Sequence, residues 1–430
     1  MSTKKYFNIA KNKLFPICRS ITGKGLRETL YIIKKEFPEF KIKSIGSGKK
    51  VFDWIVPKEW NITEGFILDD KGEEIVNFKK NNLHVVGYSA PVDLRISRDS
   101  LLRHIYSLKK QPNAIPYVTS YYKKRWGFCI SYNHKLKILK TYKAQDYFNV
   151  VIKSTFSPKG KMDYGEFLIK GKSSKEILIS TYVCHPSMAN NELSGPIVSM
   201  SLMSHFLKIT NLNKSLRFIF IPETIGSIAY IQKNLKKLQK NVIGGYNLTC
   251  IGDNKNHSCM FTKYKNTIAD ESLIESYKKL KISFKEYSFL ERGSDERQFN
   301  SPGVDLSIAS IFRTKYWEYP EYHTSLDNFD LVSHEGIKGG FEVAKKAIEI
   351  LIKKKIPKAV LLCEPQMSKR KLYPTLSIKN KKNKFSDYMN FLQYSDGKNS
   401  LEKISVLSKI SYKKGYSIYK ELIKKKLINE

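Results

Sequence analysis

The chain has 430 residues, 41% hydrophobic and 27% charged, with 76 Lys and Arg against 40 Asp and Glu and a formal net charge of +36. That length admits two or three domains around a large core. No apolar stretch approaches the roughly 20 residues of a membrane span, which excludes a spanning helix. Only 11 of the basic residues are Arg, while Ile and Asn are abundant, as an AT-rich genome produces without selection for polyanions. The charge therefore attracts acidic ligands but does not by itself establish a nucleic-acid partner. The opening MSTKKYFNIAKNKLFPICRS lacks a continuous apolar segment and a small-residue cleavage site, so cytoplasmic residence is expected. Six scattered cysteines without a CxxC pair point to reduced thiols rather than a disulfide or zinc-ribbon framework.

Residues 1 to about 45 open helically, with LRETLYIIKKEF placing apolar residues at helical spacing. From about 50 to 145, short β-type runs (VFDWIVP, GFILD, IVNF, LHVVGYS, WGFCIS) alternate with turn signals, interrupted by a helix near RDSLLRHIYSLKK. This pattern predicts a β-rich insert at 51–145 within a catalytic domain made of 1–50 and 146–358. Strands and helices then alternate: EILISTYV precedes SGPIVSMSLMSHFLK, LRFIFIP precedes GSIAYIQKNLKKL, and VIGGYNLTCIG precedes ADESLIESYKKLK. DLSIASIF and the helix EGIKGGFEVAKKAIEILIKK complete the series. Such alternation predicts an α/β fold with a mostly parallel sheet sandwiched by helices. A Lys-rich linker at 359–384 leads to 385–430, where a Ser400-capped helix, a short turn and YKKGYSIYKELIKKK predict a winged helix-turn-helix.

Four polar residues lie just past apolar strands: His185 in CHPSMANNELSG, Glu223 in IPETIGS, Asp253 in TCIGD and His323 in YPEYHTSLD. Each alone has a plain structural reading: a loop histidine, a helix N-terminal carboxylate, an Asx-turn residue. Their shared placement points to one site, because open α/β sheets gather their chemistry beyond the carboxyl ends of their strands.

In this order the motifs resemble the zinc aminopeptidase and carboxypeptidase families. More closely, LFPICRSITGKG, CHPSMANNELSGP, FIPETIGSI, GSDERQF and YHTSLD resemble a bacterial aminopeptidase-like family carrying an inserted β-rich domain and a C-terminal winged helix. The resemblance implies a zinc-dependent hydrolase, with His185, Asp253 and His323 holding one zinc and a second zinc as the alternative. Asn191 stands where those peptidases have a bridging Asp and is a poorer donor, being neutral. Glu223 would be the general base, or else a ligand, and Tyr322 would donate to the developing oxyanion. Asp295 or Glu296 would hold a substrate ammonium, or Arg297 a carboxylate. The implied substrate is a small peptide or amide, with a place in polysaccharide biosynthesis.

A second reading makes the chain a catalytically weakened peptidase fold that acts as a nucleic-acid-binding or scaffolding protein. Lys413, Lys414, Lys420 and Lys424, on the second helix of the winged module, would then contact phosphates. A protein partner on the same face, and homo-oligomerisation, stay open at this stage.

Overall fold

The computed structural model describes residues 2–372 and 384–429. In chain order the principal elements begin with α1 (Ser2–Ile9), α2 (Lys24–Glu36) and β1 (Lys41–Gly46). The insert contributes β2 (Glu59–Asp69), β3 (Glu74–Asn77), β4 (Val92–Ser97) and β5 (Tyr147–Ser157). The main α/β body resumes with β6 (Lys161–Ile169), β7 (Glu176–Tyr182), α3 (Ser194–Phe206), β8 (Ser215–Ile221), α4 (Ile225–Asn241) and β9 (Val242–Leu248). It continues with β10 (Ser258–Met260), α5 (Ile268–Leu280), β11 (Lys285–Tyr287), α6 (Glu296–Phe299), β12 (Ile308–Phe312) and α7 (His334–Lys353). The last module holds β13 (Lys358–Ala359), α8 (Lys384–Gln393), α9 (Leu401–Leu407), α10 (Tyr412–Lys424) and β14 (Ile428–Asn429).

Eight strands form the main sheet in the order β1-β6-β8-β7-β9-β12-β10-β11. Its centre, β8-β7-β9-β12, is parallel, and antiparallel pairs β1/β6, β6/β8 and β12/β10 flank it. β7 and β8 are buried along their whole length, as strands covered on both faces must be. The chain leaves β7 for β8 on one side and β9 lies on the other, so the crevice at the carboxyl end of β7 is where a doubly wound sheet holds its ligand. One core packs α1, α2, α3, α5 and α7 against the sheet through residues such as Leu30, Ile197, Phe218, Leu273 and Ile348.

The insert has its own sheet, β3-β2-β5-β4, all antiparallel, over a core that includes Ile67, Phe128 and Phe148. β5 belongs to it, so the insert extends to Ser157 rather than ending at 145. The alternating burial of β5 suits a strand with one face in the core and one in solvent. The terminal module closes around Phe391, Leu401, Ile404 and Leu422, and β13 pairs with β14 as the wing. The expected linker at 359–384 thus starts inside the wing, and its residues 373–383 lie outside the described residues. Among the described residues no helix is long and apolar enough to cross a membrane.

Candidate metal centre

His185 ends the run from β7. Its Nδ1 lies 2.8 Å from Glu192 Oε2, and its carbonyl accepts from Arg19 Nε at 2.9 Å. Arg19 Nε is 3.6 Å from Glu192 Oε1, and both side chains are fully buried. Arg19 therefore neutralises Glu192, and Glu192 fixes the imidazole with Nε2 pointing away from it. A carboxylate in this place is the usual orienting partner of a ligating histidine. Nε2 faces Glu223, whose Oε2 is 3.6 Å away. Cys184, beside His185, accepts from the Glu223 backbone N–H at 3.2 Å, and burial pushes its thiol up to about 11. The donor atoms of Cys184, His185 and Glu192 lie close enough together to hold an ion. However, Nδ1 is already engaged by Glu192 and the sulfur stays protonated, so we read the trio as support for His185.

His323 arrives from the opposite wall, its ring centroid 5.5 Å from that of His185. It adopts a left-handed backbone, with φ of 55°, which an L side chain accepts only when its surroundings hold it there. The insert supplies that hold. Tyr117 N–H donates to the His323 carbonyl at 2.9 Å, Ser325 N–H donates to the Ile115 carbonyl at 2.9 Å, and Ile115 N–H donates to Ser325 Oγ at 3.0 Å. The Tyr117 ring packs edge-on against both His185 and His323, at 5.2 Å from each. Burial, then the neighbouring His185, push the His323 pKa down to about 3, leaving a neutral imidazole. Its Nε2 is buried without a hydrogen-bond partner. Tyr322 stacks on the His323 ring at 3.9 Å, and burial followed by the charge of Glu223 raises its pKa, so it stays a phenol.

Asn191 sits in the helical turn Ala189–Leu193 that leads into α3. The N–H groups of Ala189, Asn190 and Asn191 donate to the buried carboxylate of Asp327, at 3.1, 2.5 and 2.9 Å. This cap ties CHPSMANNELSG to YHTSLD, and an acid at a helix N-terminus is favoured there. Asn191 Nδ2 donates to Tyr182 OH at 2.8 Å, while its Oδ1 is buried without a partner. Gly195 lets α3 come this close: a Cβ there would lie 2.2 Å from Thr181 Oγ1 and 2.3 Å from the Leu248 carbonyl.

Asp253, expected as a ligand, does not join this group. Oδ1 accepts from Thr314 Oγ1 at 2.7 Å and from Lys255 N–H at 2.9 Å. Oδ2 accepts from Thr314 N–H at 2.9 Å and from Asn190 Nδ2 at 3.1 Å. Its oxygens are thus spent on joining the loop after β9 to the start of the loop after β12. The residue that follows β9 directly is Thr249, which donates to the Asn191 carbonyl at 3.2 Å.

The GSDERQF residues also divide. Asp295 is fully buried: Oδ1 accepts from Thr224 N–H and Ser227 Oγ, both at 2.8 Å, and burial with the charge of Glu223 raises its pKa to about 7. Glu296 accepts from Gly293 N–H, Ser294 N–H and Tyr316 OH on Oε1, and from Asn247 and Ser310 on Oε2. Neither acid is open to a substrate. Arg297 remains half-buried, with Nη2 donating to Thr224 Oγ1 at 2.6 Å. Far from this centre, Lys413, Lys414, Lys420 and Lys424 are exposed on α10. Lys414 pairs with Asp387, and Lys420 lies over the Tyr416 ring at 5.0 Å.

The residue types at this centre fit a metal such as zinc. His185 Nε2 faces Glu223 Oε2 at 3.6 Å, the His323 ring lies 5.5 Å from that of His185, and Asn191 Oδ1 and His323 Nε2 are buried without hydrogen-bond partners. Nitrogen and oxygen donors of this kind suit zinc. Sequence reasoning missed Glu192, Arg19, Tyr117 and Tyr182. Glu192 lay in a motif already singled out, and a buried acid next to Asn191 needs a partner, whereas nothing in the insert distinguishes Tyr117.

Comparison with known proteins agrees with this architecture. Residues 7–354 match the family described as a domain of unknown function (DUF4910), and residues 355–430 match a winged helix-turn-helix family. A protein of Clostridium acetobutylicum, named for polysaccharide biosynthesis with an aminopeptidase-like domain, is 38% identical over 409 residues, covering 94% of this chain and 91% of the relative. A crystal structure of a peptidase-named protein from the same organism superposes with a TM-score of 0.79 at 36% identity, covering 99% of this chain and 96% of the other. The zinc aminopeptidase BSAP of Bacillus subtilis superposes with a TM-score of 0.59 at 15% identity, over 80% of this chain and 93% of its own, which is a likeness of fold. With its aminopeptidase-like α/β body, its β-rich insert and its winged helix-turn-helix, this chain belongs to the DUF4910 family.

Proposed function

We propose that the chain is a zinc-dependent amide hydrolase, with His185 Nε2, His323 Nε2 and Asn191 Oδ1 as the donors and Glu223 as the proton carrier. The observation that carries this reading is the buried, unpartnered Nε2 of His323 on a ring 5.5 Å from that of an oriented His185. When bound, zinc acidifies water and polarises a carbonyl. Glu223 is the site acid that keeps some exposure, its side chain being 21% accessible. It accepts the proton of the attacking water and returns it to the leaving amine. Tyr322, held against His323, donates its O–H to the developing oxyanion. The relative's name, a polysaccharide biosynthesis protein with an aminopeptidase-like domain, supports a small amide met in polysaccharide biosynthesis as the substrate, and the free cysteines accord with a cytoplasmic setting.

Zinc-loaded protein assayed on a panel of aminoacyl and acyl amides tests this proposal. Glu223→Gln is expected to lower the rate by roughly 10²- to 10⁴-fold without displacing the metal. Absence of zinc-dependent hydrolysis, or a Glu223→Gln variant as fast as wild type, contradicts it.

A second reading concerns the winged helix, because α10 exposes Lys413, Lys420 and Lys424 beside the stacked Tyr412 and Tyr416. Nucleic-acid binding through this face would weaken with salt and be lost on replacing the three lysines. Lack of a shifted band at low salt removes that reading.

A further inference from the structure

With Asp295 enclosed and Glu296 fully bonded, no acid of GSDERQF is free to receive a substrate ammonium group. Arg297 faces the other way. Its Nη2 holds Thr224, next to Glu223, and its Nε is buried without a partner. Arg297 also lines a cleft of about 660 Å³ between the segments 261–265 and 286–302. The charged groups of that lining are Lys263, Lys265, Arg292 and Arg297 against the single acid Glu286. Lys265 pairs with Glu286 at 2.5 Å, and Lys263 pairs with Asp305. Arg292 donates to the Phe289 carbonyl at 3.3 Å and lies over the Phe289 ring. Arg297 lies within electrostatic reach of Glu223 and Asp295, whereas Arg292 forms no ion pair among the described residues, so the lining keeps an excess of positive charge.

We propose that this cleft binds an anionic portion of the substrate, a carboxylate or a phosphate, and so selects amides that carry an acidic group rather than a free amino terminus. This proposal rests on the hydrolase reading and sharpens it. The guanidinium fork matches carboxylate and phosphate oxygens in a way an ammonium-binding site does not. Arg297 is the specificity element because it joins the two regions: one edge of its guanidinium is fixed next to Glu223, and its half-buried side chain also lines the cleft. An acidic group held there sits beside the carboxylate that moves the proton.

The test is calorimetric and needs no turnover. Glutarate, its neutral diamide, inorganic phosphate and glycinamide are titrated into the full-length protein, with zinc and after chelation. Glutarate or phosphate is expected to bind at least about tenfold tighter than the diamide or glycinamide, as charge-assisted hydrogen bonds require. The stronger of the two anions identifies the acidic group. Arg297→Gln is expected to remove that preference and Arg292→Gln to weaken it, and the exposed Arg292 guards against misfolding of the Arg297 variant. Retention of the preference in zinc-free protein supports the cleft even where amide hydrolysis is absent, so the two readings fail separately. Equal binding of diamide and diacid, tighter binding of glycinamide, or an unchanged preference in both variants overturns the proposal.

Discussion

Asn191 puts a neutral amide where a carboxylate would bind a dication far more strongly, so on the proposed donor set the protein ligands carry no negative charge of their own. Asn191→Asp is therefore expected to tighten zinc by about tenfold or more, since an opposite charge at ligand distance is worth well over one kcal/mol in a buried site. Competition with a zinc-binding dye reads this directly, and unchanged affinity would remove Asn191 from the site. Glu192 acts one step back, through His185. Glu192→Gln is expected to weaken zinc by about 10- to 100-fold, and to cost roughly 3–5 kcal/mol because Arg19 is left buried without its counter-charge. Dye competition and urea unfolding separate the two effects. At this scale the sequence was partly legible. His185 and Glu223 stand out because a polar residue just after an apolar strand needs a polar destination, and His323 stands out through its motif YHTSLD. The same argument misled for Asp253, which lies five residues past β9 and finds its partners in Thr314 and Asn190. Arg19 and Glu192 are 173 positions apart, and no local pattern connects them.

Among the elements, the strand–helix alternation was readable because β7 and β8 are buried on both faces and carry unbroken apolar runs. The site depends on how the turn before α3 is pressed onto the ends of β7 and β9. Gly195→Ala would drive a Cβ into Thr181 Oγ1 and the Leu248 carbonyl, moving the turn that carries Asn191. The expected loss is about 1–3 kcal/mol of stability, with weaker zinc binding, measured by urea unfolding with and without metal. A variant as stable and as metal-competent as wild type would show that the turn can relax without cost. The contribution of the insert was not legible. Its strands were evident from their alternation, but the grip of residues 115–117 on the His323 loop depends on two segments some 200 residues apart meeting in space.

Across the whole molecule, the centre gathers the end of β7, the end of β8 and a loop clamped by the insert, so it joins the main α/β body to the inserted domain. The winged helix docks elsewhere on that body. Ser400 Oγ donates to Glu271 at 2.9 Å, Lys403 Nζ donates to the Asn266 carbonyl at 2.7 Å, and Lys354 lies between Glu275 and Glu402. Metal binding and any binding on α10 are thus separable properties of one chain. Metal analysis of the purified protein and three single variants tests the central claim most directly. About one zinc per chain is expected in wild type and in Asp253→Ala, with none retained by His185→Ala or His323→Ala. Zinc absent from wild type, or lost in Asp253→Ala while His323→Ala keeps it, would contradict the account.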